Sequence, residues 1–313
     1  MLALLREEKG SVIVVIAVFL MALIGMAAMV TDTGALYLTR SRLQNAVDAA
    51  ALAGLQELPG NPAQAVETAS TYVVNNSPAS TEVDTPLIQE SDRAILVSAH
   101  KMVDFGLARV LGLDSKLVEA EAKARLEPIT GVSGCLPLGV MEGTWTLGDT
   151  VNLKGGAQET IDGGWRGALA LGGNGSSTYE ENLKNGYAGI LRLEDLVDVE
   201  NGNMSGPTRT GTAFRLDACP HDPQCTTEHY VMGCPRIGII PVVSQVLLTD
   251  KKGNQTVSKK QVRISGFALF LLSDVPGNGG DSQITGHFIR GFVQGEADPN
   301  APDYGLYKAK LVQ

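Results

Sequence analysis

The sequence predicts an α+β protein. An N-terminal transmembrane helix runs on into a long helix packed against a small α+β unit, and a glycine-rich, mainly β domain follows. Three observations carry this reading. Ser11–Thr31 is an apolar run without a charge. Helical spacing of apolar residues over 36–58 gives way to strict alternation over 118–126. Of the 36 glycines only nine precede residue 135, which concentrates turns in the C-terminal part. At 313 residues the chain has room for two domains. Its 44% hydrophobic and 19% charged residues exclude wholesale disorder. With 25 basic against 34 acidic residues, the net charge of −9 argues against a nucleic-acid partner.

The apolar run is long enough, at roughly 31 Å as a helix, to cross a bilayer. A cleaved secretory signal is the alternative. Signal cores are shorter, about 7–15 residues, and here helix-forming sequence continues directly beyond Thr31. Arg6 and Lys9 flank the run closely, whereas Arg40 and Arg42 stand further from its far end. The positive-inside rule then makes 1–10 a cytoplasmic tail, 11–31 a single span of the cell membrane and the remainder extracytoplasmic.

Beyond the span, Leu36, Leu43, Val47, Ala50 and Leu58 keep helical spacing, and Gly54, Pro59, Gly60 and Pro62 supply the stop. One helix over 11–58 is expected, on the order of 72 Å long. The small side chains of Asp48-Ala49-Ala50-Ala51-Leu52-Ala53-Gly54 allow another element to approach closely. Gly10-Ser11-Val12, the span, Asp32-Thr33-Gly34, Tyr37 and Arg40 through Ala53, including Arg42-Leu43-Gln44-Asn45-Ala46, resemble the TadG-like N-terminal family of Tad (Flp) pilus-assembly proteins. The resemblance covers about 8–58. It implies a single-pass envelope protein of a pilus or tight-adherence system, not an enzyme. Its partners would be other pilus-assembly membrane proteins, met through the transmembrane and juxtamembrane helix, and the lipid bilayer. Some relatives carry a DxSxS metal site, which does not occur here. The fifth position from Gly10, Glu in related prepilins, is Val15.

Asp32-Thr33-Gly34 also matches the Asp-Thr-Gly of aspartic proteases, which need two such carboxylates on facing loops. With one copy, Asp32 is expected simply to mark the end of the span, in the headgroup zone.

Residues 32–134 form the juxtamembrane helix and a small α+β domain. Asn61-Pro62 opens a helix to about Asn75. Strands are expected at Asp84–Gln89 and Ala94–Met102, joined by Glu90-Ser91-Asp92-Arg93, with a short helix from Asp104 through Gly112. Val118, Ala120, Ala122, Ala124 and Leu126 alternate with Glu119, Glu121, Lys123 and Arg125, the signature of a strand buried on one face. The order αββαβ behind a long helix is pilin-like.

In 135–313 strands are expected at Leu136–Met141, Thr144–Leu147, Ile237–Thr249, Gln261–Ser273, Ile284–Val293 and Tyr304–Val312, with a hairpin turn at Lys251-Lys252-Gly253-Asn254 and a helix near Tyr179–Asn185. Gly172-Gly173-Asn174-Gly175 and Gly202 through Thr208 read as tight turns; an anion cradle of glycine N–H groups is the alternative. The stretch from Gly163-Gly164-Trp165 through Thr208 is also similar to a segment of other Tad-domain proteins, with no chemistry implied.

The chemically loaded residues are cysteines. Cys219, Cys225 and Cys234 lie close together with His221 and His229 between them, and Cys135 is distant. An even count outside the membrane suggests disulfides, 219–225 and 135–234 among three possible pairings. Zinc held by Cys219, Cys225, Cys234 and a histidine, His229 or His221, is the alternative, and buried free thiols are a third. No catalytic set and no cofactor motif is present in the sequence. The leading function, which the resemblance over about 8–58 implies, is a membrane-anchored structural component of a Tad/Flp-type assembly. The alternative is an extracytoplasmic binding or hydrolytic protein on the same anchor, with its site in 135–313.

Overall fold

A computed structural model describes residues 8–143, 147–154, 167–200, 202–249, 254–275, 277 and 283–312. The chain divides into two compact units, Met1–Leu126 with Ala309–Gln313, and Glu127–Lys308.

The first unit is organised by α1 (Glu8–Leu55), one uninterrupted helix of 48 residues. At 1.5 Å per residue it is about 72 Å long. Its two halves behave oppositely. From Val12 to Val30 the large apolar side chains stand exposed, Phe19 at 63% and Met29 at 74%. Further on, Leu43, Val47, Ala50, Ala51 and Leu55 are fully buried, where α1 packs on α2 (Pro62–Asn76) and the sheet. Asn61 caps α2, its side-chain oxygen accepting the Gln64 N–H at 3.1 Å. Gly54 marks a close approach of the two helices. A Cβ there would stand 2.8 Å from both the Ala65 carbonyl oxygen and Ile95 Cδ1.

The sheet of this unit holds β1 (Glu82–Val83), β2 (Leu87–Gln89), β3 (Ala94–Asp104) and the first part of β4 (Ser115–Val132). Both β1 and β2 pair with β3, and β3 pairs with β4 without a register shift from Ala94↔Arg125 to Asp104↔Ser115. Of the strand expected at Asp84–Gln89 only Leu87–Gln89 forms, as β2, and β1 lies before the expected span. Pro86 lies between them and has no N–H for a ladder. The alternation on β4 is as expected: Val118, Ala120, Ala122, Ala124 and Leu126 are buried, Glu119 and Glu121 exposed. The expected helix from Asp104 to Gly112 is one 3-10 turn, Ala108–Leu111. Asp104 stays in the β ladder, and Gly112, at φ +83°, closes the turn.

The second unit contains β5 (Val140–Met141), β6 (Thr150–Lys154), α3 (Ser176–Asn185), β7 (Leu191–Arg192), β8 (Leu196–Asp198), α4 (Ser205–Asp217), β9 (Ile237–Thr249), β10 (Gln255–Leu272), β11 (Ile284–Ile289), β12 (Gly291–Phe292), β13 (Glu296–Ala297) and β14 (Leu306–Val312). One sheet runs β5-β9-β10-β11-β6, with β8 added to β10. The end of β4 pairs with β7 and β13, and β12 lies parallel to β14. Phe267, Leu269 and Leu271 of β10 join one buried cluster, while Ala268, Phe270 and Leu272 join another. Burial on both faces explains the unbroken apolar run there.

The helix α4 corrects the reading of Gly202 through Thr208 as tight turns, since residues from Ser205 onward open it. Its glycines and threonines imitate a loop in sequence. In the fold Gly211 admits the Leu183 side chain of α3, and Thr208 and Thr212 are fully buried. Arg215 on α4 is buried too; its Nε donates to the Leu183 carbonyl and its Nη1 to those of Pro235 and Ile237. Burial lowers its pKa to about 10. At the other glycine-rich turn, Gly172, Gly173 and Gly175 have positive φ. The Gly175 N–H donates to Glu200 Oε1 at 2.9 Å. A carboxylate of the chain itself thus takes the donor that an anion would need. The expected strand at Thr144–Leu147, the turn Lys251-Lys252-Gly253 and the Gly163-Gly164-Trp165 stretch lie wholly or largely outside the described residues.

Candidate metal centre

The connection from α4 to β9 carries three of the four cysteines. Cys219 follows the end of α4 directly, its N–H bonded to the Leu216 carbonyl. The return to β9 is set by Cys234, whose N–H meets the Val231 carbonyl and whose own carbonyl accepts from Ile237. Arg236 ties the loop down. Its Nη1 donates to Gln224 Oε1 at 2.8 Å, and its Nε and Nη2 to the carbonyls of Leu272 and Ser273. Tyr230 adds a hydrogen bond to the Arg290 carbonyl.

Within this frame the ligand atoms of Cys219, His221, Cys225 and Cys234 all lie within 4.8 Å of one another. Cys234 Sγ is 3.4 Å from Cys219 Sγ. His221 Nδ1 is 3.4 Å from Cys225 Sγ and 3.7 Å from Cys219 Sγ. Cys225 and Cys234 are buried, the other two partly so. Backbone N–H groups of Cys225 and His221 point at the Cys219 sulfur, and that of Arg236 at the Cys234 sulfur. Desolvation opposes ionisation of Cys219, but these donors, with the His221 and Cys234 side chains, outweigh it and bring the thiol to about 6. Cys234 moves the opposite way, to about 12, chiefly through desolvation and then through its Cys219 and Cys225 neighbours.

No disulfide joins the four cysteines in this structure. Cys135, expected to pair with Cys234, stands outside the group; it is fully buried, with its sulfur 4.0 Å from the Val132 carbonyl, and burial raises its pKa. Cys219 and Cys225, expected to pair with each other, both face His221 instead. His229 is likewise outside: its N–H bonds Thr226 Oγ1 and its carbonyl accepts from the Thr226 N–H, a closed local turn. The histidine of the cluster is therefore His221. His100 on β3 lies by Glu82 and Asp84, and His287 on β11 by the Gly148 carbonyl.

A second polar feature belongs to the first unit. Asp32 is 8% exposed and accepts two backbone N–H groups, Gly106 at 2.9 Å and Ala108 at 2.7 Å. It caps the 3-10 turn, a role no local pattern around Asp32-Thr33-Gly34 announces. About three turns further along α1, Gln44 donates to Asp48 Oδ1 and to the Glu121 carbonyl of β4, each at 2.9 Å.

Residues 10–65 match the family model described as putative Flp pilus-assembly TadE/G-like. The match takes in α1 and the first turn of α2, and it falls on the segment whose residues resemble TadG-like proteins. No curated protein and no solved structure matches the chain.

Proposed function

We propose that this protein is a single-pass, membrane-anchored structural component of a Tad/Flp-type pilus assembly, and that it is not an enzyme. The observation that carries this reading is α1. One helix leaves a lipid-length apolar segment exposed over Val12–Val30 and then, without a break, buries Leu43 through Leu55 in a folded unit. Such a helix couples a folded head mechanically to the bilayer, as an assembly subunit requires. The Tad match over the same residues supports the assignment to this system. In this reading 1–10 is cytoplasmic, 11–31 spans the membrane and 32–313 is extracytoplasmic. Partner membrane proteins meet the exposed half of α1, since helices in lipid associate through side-chain packing.

The test is protease added to intact spheroplasts together with pilus counts in a deletion strain. Loss of the 60–313 region with a protected N-terminal tag, and loss of pili restored by the intact gene, are expected. A protected 60–313 region with a digested tag reverses the topology. Normal pili in the deletion strain remove the assembly role.

A further inference from the structure

We infer that Cys219, His221, Cys225 and Cys234 form a structural zinc site that closes the α4–β9 connection. A tetrahedral zinc has Zn–S near 2.3 Å and Zn–N near 2.0–2.1 Å, so its sulfur–sulfur edges are about 3.8 Å and its sulfur–nitrogen edges about 3.6 Å. Three of the six ligand–ligand separations, one sulfur–sulfur at 3.4 Å and two sulfur–nitrogen at 3.4 and 3.7 Å, stand within a few tenths of an ångström of these edges, and all six lie within 4.8 Å. A disulfide would instead need sulfurs at about 2.05 Å.

The surroundings suit thiolates. Cys219-Pro220-His221 and Cys234-Pro235-Arg236 repeat one local device, in which the N–H two residues on turns back to the cysteine sulfur. Such donors stabilise negative sulfur, whereas a neutral thiol is a weak acceptor. Arg236, anchored to Gln224, Leu272 and Ser273, brings a positive charge to the same loop. Binding forms three Zn–S bonds and one Zn–N bond and releases the thiol protons to solvent, with neutral His221 ligating through Nδ1. All four positions are filled by protein, which makes the site structural and leaves no open position for a substrate.

The test uses the full chain purified in detergent without added metal or chelator. Elemental analysis should find one zinc per chain. Replacement by Co(II) should give the sulfur-to-metal and tetrahedral d–d bands of a sulfur-rich site. His221→Ala and Cys225→Ser should lose the metal, while His229→Ala and Cys135→Ser keep it. Because ligand variants can also misfold, the wild type supplies an independent reading: chelated, denatured protein should alkylate at all four cysteines. Two or four thiols protected as disulfides, protein without zinc that also fails to take up Co(II), or metal lost in His229→Ala but kept in His221→Ala would each overturn the inference.

Discussion

Asp32 and Ala108 are 76 residues apart in sequence, and the carboxylate of the first accepts the backbone N–H of the second at 2.7 Å. The other carboxylate oxygen holds the Gly106 N–H at 2.9 Å. Asp32 directly follows the uncharged run Ser11–Thr31, so the loop before β4 is tied to the helix just beyond the bilayer-length segment. Gly106 permits the approach: a Cβ there would meet Asp32 Oδ1 at 3.3 Å.

Removing that acceptor takes the protein partner from two part-buried backbone donors. Asp32→Ala should lower the stability of the unit and loosen 105–112 before the rest of it. Hydrogen exchange across that segment checks it. Protection there equal to wild type would mean the carboxylate is dispensable.

Ala50 and Ala51 are fully buried on the face α1 presents to its own unit. A leucine at either has no room, and overpacking of about 1–3 kcal/mol is expected. Thermal melts in detergent should fall while membrane fractionation stays unchanged, because both positions lie beyond the apolar span. An unaltered melt would show that the face is not tightly packed.

Arg215 satisfies three carbonyls from two separate segments with one planar group. Arg215→Leu strands those acceptors and should destabilise by at least about 2 kcal/mol. Arg215→Lys should restore little, since an ammonium cannot reach carbonyls at both ends of the fork. Denaturant titration of the three proteins decides this, and full rescue by lysine would reduce the role to charge alone.

Arg192 and Glu296 form a bidentate pair, 2.7 and 2.9 Å, joining β7 to β13. Hydrogen bonds from Arg192 lower the Glu296 pKa against an opposing desolvation, and the Arg192 charge adds to the lowering. Both side chains are 52% exposed, so solvent screening keeps the contribution small. Since the folded value lies below the unfolded one, about 4.3, the stabilisation is present above that pH and fades as pH falls through the lowered folded value. The stability gap between wild type and Glu296→Gln should therefore close on acidification and shrink in high salt. A gap that widens in acid would contradict the assignment.

What the sequence determined by itself is local periodicity. The apolar run and the helical spacing of Leu43, Val47 and Ala50 mark α1, and the alternation from Val118 to Leu126 marks β4. The cap-and-proline pair Asn61-Pro62 starts α2, and Ile237–Thr249 has the limits of β9. These signals are written within one element, because a helix or strand face repeats every few residues whatever it packs against. Tertiary structure decided everything that depends on which faces meet. It made α4 a helix despite loop-like residues, since Gly211 and Thr208 acquire their meaning only against Leu183 and Tyr179. It chose His221 over His229 as the companion of three cysteines, a choice that spacing leaves open because loop closure through Arg236 sets the distances. And it turned Asp32 from the end of an apolar span into a cap, because hydrogen bonds are satisfied in space and sequence distance places no limit on the partner.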